Sequence, residues 1–135
     1  MTGTTELRAL LKTLSPTIAE EEYVFVTVGD RSQLNGLDAI CVFREREAIT
    51  AICARVHAER AALVYDGTFR QITLAVHSSL QAIGLLAAVS AALAEAGIPC
   101  NAVSAFYHDH IFVPADLASR ALEVLSSLEA KYRNA

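Results

Sequence analysis

A chain of 135 residues, 53% apolar and 19% charged, can bury the core of one ordinary domain or of two small halves sharing one, and its composition excludes a disordered chain. Fifteen acidic against eleven basic residues give a formal charge of −4. With no Lys/Arg cluster to neutralise a row of phosphates, nucleic acid is not an expected partner.

Nor is a membrane. The longest apolar stretch, Ile83 to Leu93, is rich in alanine, contains Ser90 and falls well short of the roughly 20 residues that span a bilayer. Glu6, Arg8 and Lys12 would interrupt the apolar core of a signal peptide, so the expected location is the cytoplasm. Cys41, Cys53 and Cys100 are odd in number and lie in apolar runs without CxxC spacing. They are expected to be reduced, buried, small hydrophobes.

Leu7, Leu10, Leu11, Leu14 and Ile18 recur at helical spacing, and Ser15-Pro16 punctuates them, which predicts a first amphipathic helix ending near Leu14. The period then changes. Tyr23 to Val28 is β-branched and aromatic and predicts a strand, closed by the turn-forming run Gly29 to Gly36. Ala39 to Phe43 and Ile49 to Ala54 predict a strand pair joined through Arg44-Glu45-Arg46-Glu47, whose alternating charge suits a solvated turn or edge without a function of its own.

A short helix follows from Val56 to Leu63, then a turn at Tyr65-Asp66-Gly67. Phe69 to Val76 alternates as a strand with Ile72, Leu74 and Val76 on one face. Ser78 and Ser79 are good N-caps for a helix from about Gln81 to Ala96, which Gly97-Ile98-Pro99 stops. Ala102 to Tyr107 and His110 to Val113 predict a hairpin around Asp109. Pro114 opens a last helix whose stripe is Ala118, Ala121, Leu122, Leu125, Leu128 and Tyr132.

The second half thus reads β-α-β-β-α, a split βαβ pattern of ferredoxin-like type without its final strand. The first half reads α-β-β-β-α and runs straight into the Phe69 strand. One solution has the halves share or exchange strands in a common sheet.

Ile72 to Ala105 resembles the strand-turn-helix-strand opening of an ACT domain, the amino-acid-sensing module attached to many biosynthetic enzymes. Ile83-Gly84-Leu85-Leu86 stands where that family usually has Pro-Gly-Leu-Leu, and Ala94-Glu95-Ala96-Gly97-Ile98 matches its helix ending. Val76 to Leu80, with Tyr107 to Pro114, is similar to a small bacterial family of stand-alone tandem ACT-like proteins, with a regulatory fold like that of aspartate kinase, and this resemblance covers nearly the whole chain. It implies an α+β protein of two ferredoxin-like, ACT-type halves, 1–66 and 67–135, with antiparallel sheets and helices packed on them. It also implies a regulatory amino-acid-binding protein with no cofactor and no catalysis of its own. In place of the Asp/Arg-Pro type of loop common in ligand-binding ACT domains, this sequence has His77-Ser78-Ser79-Leu80-Gln81.

The candidate ligand loop runs from His77 to Leu85. Backbone N–H groups at a helix N-terminus attract anions such as the carboxylate of an α-amino acid. Ser78, Ser79 and Leu80 would hold that carboxylate, Gly84 would give close access, Ile83 and Leu85 would supply apolar wall, and His77 or His108 would meet a polar end of the ligand. Against this, serine at an N-cap needs no ligand, and Gly84 serves equally for packing.

His77, His108, Asp109 and His110 together raise a metal reading, since imidazole and carboxylate suit zinc, nickel or copper. A pair spanning a turn points its rings apart, and no fourth ligand is evident, so no metal is expected. Ser78 or Ser79 beside His77 has no G-x-S-x-G elbow and no orienting third group, which argues against an enzyme.

The alanine-rich helix suggests close packing on two sides, between the halves or between subunits, and a homodimer is expected. The competing function is an assembly module that docks through its sheet and holds no metabolite.

Overall fold

The first element described forms because Glu6 caps it. The Glu6 carboxylate accepts from the N–H groups of Arg8 and Ala9 at 3.1 and 2.7 Å, satisfying two donors that a helix leaves open at its start. Helix α1, Leu7–Lys12, follows in the computed structural model, which describes residues 6–135. Ser15 takes a left-handed φ of 49°, and Pro16 begins strand β1, Pro16–Val28. Ile18, grouped with the helix by its spacing, therefore belongs to the strand. A turn and a proline cannot continue a helix, however regular the leucine spacing.

The remaining elements are β2 (Cys41–Arg44), β3 (Ile49–Ala54), α2 (Arg55–Arg60), β4 (Phe69–Leu74), α3 (Leu85–Glu95), β5 (Asn101–Ser104), β6 (Asp109–Pro114) and α4 (Ala118–Arg133). The chain is α+β. It divides into one unit made of the described residues up to Ala19 together with Arg70–Ala135, and a second made of Glu20–Phe69.

In the first unit the hydrogen-bonded order is the start of β1, then β4, β6 and β5. Ala19 accepts both Nε and Nη2 of Arg70 at 2.9 and 2.6 Å, which ties β1 to β4. Helices α1, α3 and α4 pack against one another over a core that includes Leu10, Leu14, Ile72, Leu74, Val89, Leu93, Ile111 and Leu125. Of the last helix's predicted stripe, Ala118, Ala121 and Leu125 are fully buried. Helix α3 buries only Leu85, Val89 and Leu93, spaced i, i+4, i+8, and its alanine-rich opposite side, Ala87, Ala91 and Ala94, is exposed. Within one chain α3 therefore packs on a single side, and the alanine side is left open.

In the second unit β3 lies between β2 and β1. Both pairings are antiparallel, Tyr23 opposite Ala54 through Val28 opposite Ile49, and Cys41 opposite Ile52 through Arg44 opposite Ile49. The core here is smaller: Val24, Val26, Val28, Leu37, Ala51, Cys53 and Ala58. Only Cys53 of the three free thiols is fully buried, whereas Cys41 and Cys100 are partly exposed. Cys41 lies on the edge strand, where one side has no neighbour to cover it. Burial raises the pKa of both Cys53 and Cys100, so neither is an activated thiolate.

Candidate ligand-binding site

Helix α3 does not start at the serines. Ser79 Oγ accepts the Gln81 N–H at 3.1 Å and Ser79 O accepts the Ala82 N–H at 3.0 Å, so Ser79 stabilises a turn instead of capping a helix. The N-cap is Gly84, in the left-handed region at φ 96°, and it has no side chain to offer the helix. The first helical bond runs from Ala88 N–H to Gly84 O at 2.9 Å. The N–H groups of Leu85, Leu86 and Ala87 therefore stand at the open mouth of the helix, ahead of that bond.

Two features favour glycine at position 84. A Cβ there would sit 3.1 Å from Cδ2 of Leu7 on α1, and a left-handed φ disfavours any L side chain.

The opposite wall comes from the β5–β6 hairpin. Ala105 N–H bonds to His108 O at 3.0 Å, so the turn is Phe106-Tyr107, and Ser104 lies opposite Asp109 in the ladder. The expected hairpin around Asp109 is thus shifted, with Asp109 as the first strand residue. Strand alternation then turns Asp109, Ile111 and Val113 inward and His108 and His110 the other way. Asp109 is 8% exposed and Ser78 is 6% exposed, and Ser78 Oγ donates to Asp109 Oδ2 at 3.4 Å.

These elements enclose a cavity of about 210 Å³ in the first unit, lined by Ser78, Ser79, Leu80 and Ala82 of the loop, by Gly84, Leu85, Leu86 and Ala87 at the helix mouth, and by Ser104 and Asp109. The volume is below the roughly 300–1,000 Å³ of pockets for drug-sized ligands. Among the described residues Ser78 is the only hydrogen-bond partner of the Asp109 carboxylate, and no buried side-chain oxygen is left without one. The second carboxylate oxygen is therefore reachable, and Asp109 lines the cavity.

Of the residues singled out from sequence, Ser78, Ser79, Leu80, Gly84 and Leu85 line this space, whereas His77, Ile83 and His108 do not. Ile83 is 84% exposed, so it forms no wall, because it precedes the left-handed Gly84 and its side chain leaves the turn outward. The His77 ring packs 5.4 Å from Tyr107 and 6.5 Å from His108, and His108 lies 6.4 Å from His110. Among the described residues no group of three His, Cys, Asp or Glu is placed to hold a metal ion.

His110 Nδ1 lies 3.0 Å from Thr73 Oγ1 and 3.2 Å from Gln71 Nε2. Burial chiefly, and then His108, lower its pKa from 6.5, with Asp109 opposing. The functional group that sequence reasoning missed is Asp109 as a cavity carboxylate. Its signal was the in-out alternation through Asp109-His110-Ile111, obscured by reading Asp109 as a turn residue.

Two matches to the ACT-domain family cover residues 2–70 and 68–127. The chain belongs to the ACT-domain family, with two such domains in tandem. It is similar to a Vibrio cholerae protein of unknown function described as a possible transport protein, at 40% identity over 91% of this chain and 95% of that one, with a TM-score of 0.84. A protein from Agrobacterium tumefaciens shares the fold at 16% identity, covering 84% of this chain and 87% of its own, with a TM-score of 0.70. The ligand-free regulatory subunit of aspartate kinase from Thermus thermophilus does so at 10% identity, covering 86% and 97%, also with a TM-score of 0.70. No curated protein matches the chain. ACT domains are regulatory modules that bind small molecules, often amino acids. No helix among the described residues is long and apolar enough to cross a membrane.

Proposed function

We propose that this protein is a non-catalytic sensor that binds a free amino acid in the cavity of its first unit. The observation that carries this reading is the meeting of two opposite chemistries around one small space. The Leu85, Leu86 and Ala87 N–H groups at the mouth of α3 suit a carboxylate through hydrogen bonds and the positive end of the helix. The buried Asp109 carboxylate suits an ammonium group. An α-amino acid carries both on adjacent atoms.

Within this reading Ser78 orients Asp109, Ser79 shapes the loop, Gly84 lets the ligand's carboxylate approach the helix mouth, and Leu80 and Leu85 contact its side chain. His77 and His108 act on the hairpin instead of the ligand. Edge strand β2 exposes Val42 at 45% and Phe43 at 67%, which supports self-association, and the protein acts in the cytoplasm as a homodimer.

The test is the melting temperature of untagged protein against each common amino acid at millimolar concentration. A rise of several degrees confined to one or a few amino acids is expected, since a ligand held by the native state alone stabilises it by mass action. A flat panel would overturn the proposal and leave assembly through β2 as the better account, to be checked by the mass of the particle in solution.

A further inference from the structure

Among the described residues the cavity wall carries one ionisable side chain, Asp109, and no Lys, Arg or His. Resting on the amino-acid reading above, we infer that the site selects net-neutral amino acids and rejects acidic ones, with Asp109 as the specificity-determining residue. The ligand's ammonium occupies the free oxygen of Asp109, and its α-carboxylate occupies the N–H groups of the helix mouth. A second carboxylate then has no cation to meet. It must lie in a space of about 210 Å³ beside a buried carboxylate of the same sign, which disfavours the ionised form of both. Rejection by an unpaired charge is a stronger discriminator than the loss of a methylene from an apolar pocket.

The size of the cavity selects in the same direction. Apart from Asp109, the wall offers only the Ser78, Ser79 and Ser104 hydroxyls and small or aliphatic side chains, which suit a short neutral side chain, polar or apolar.

The experiment is isothermal titration of the full chain with L-alanine, L-serine, L-aspartate and L-glutamate. The wild type should bind at least one neutral amino acid, with the acidic pair at least tenfold weaker. In Asp109→Asn the gap should narrow to within about threefold, because the like charge is gone. Ser104→Lys guards against misfolding of that variant: Ser104 is exposed on β5, and a cation added at the rim should bring the acidic pair level with the neutral ones.

Acidic amino acids binding the wild type as tightly as neutral ones would overturn the inference while leaving the amino-acid reading intact. So would an unchanged gap in both variants. Silence of the wild type toward every amino acid would remove the site itself, and the inference with it.

Discussion

Ser78 and Asp109, separated by 31 residues, meet as a buried hydroxyl and a buried carboxylate 3.4 Å apart. The contact joins the loop before α3 to the first residue of β6, so one weak bond couples the two walls of the cavity. Removing it by Ser78→Ala leaves the Asp109 carboxylate without a hydrogen-bond partner among the described residues. For so long a bond the expected loss is about 1 kcal/mol, or a fall in Tm of roughly 3–5 °C. An unchanged Tm would mean the pair contributes nothing to stability.

Gly84→Ala separates two penalties at one position. The left-handed φ of 96° costs an L residue about 1–2 kcal/mol. The new Cβ also presses on Leu7 Cδ2 at 3.1 Å, which adds more unless the leucine yields. A total of about 1–3 kcal/mol is expected. In a Leu7→Ala background the contact part should vanish and the backbone part remain, so a double-mutant cycle by urea denaturation should show coupling without full rescue. Equal penalties in both backgrounds would show that Leu7 is not the obstacle.

Much of this arrangement was legible in the sequence, for identifiable reasons. Strand β3 was found at its true bounds, Ile49–Ala54, because a run of six residues with three β-branched ones, Ile49, Thr50 and Ile52, is too short for a helix and rich in strand formers. The stop of α3 after Glu95 was marked by Gly97. Its start was not. The serine signal at Ser78 and Ser79 outweighed Gly84, since a glycine N-cap announces itself only through its φ. Asp109 was hidden for a related reason: aspartate favours turns, and the strand assignment rests on its pairing opposite Ser104, a relation that exists only once the hairpin has formed. The grouping of α1 with residues beyond Arg70 depends on contacts distant along the chain, which no local pattern encodes.

The acid side of the stability profile should carry the signature of His110. Burial first, then the neighbouring His108, lower its pKa below 6.5, Asp109 opposes, and Thr73 and Gln71 flank Nδ1. The unfolded chain therefore binds the proton more readily than the folded one. The stabilisation is fully present above about pH 6.5 and is lost as pH falls through the lower folded value. Urea midpoints measured from pH 7.5 to 5 should drop in the wild type and drop less in His110→Gln. Matching slopes in the two proteins would refute a role for this ring, since the other three histidines are common to both.

A stabilising change is available in the second unit. Helix α2 ends with Leu63 N–H bonded to Ala58 O at 2.9 Å and Ala62 N–H bonded to Glu59 O at 3.0 Å, with Ala62 in the left-handed region at φ 56°. Glycine is the residue that normally fills this place, because alanine's Cβ crowds the following carbonyl. Against the relief of about 1–2 kcal/mol stands the greater freedom that glycine gives the unfolded chain, roughly 0.5–1 kcal/mol. The difference favours Ala62→Gly by about 0.5–1 kcal/mol, read as a rise in the urea midpoint without a change in slope. Because Ala62 lies outside the cavity wall, the variant should bind amino acids as the wild type does. A lower midpoint would indicate that the unfolded-state term exceeds the strain at this helix end.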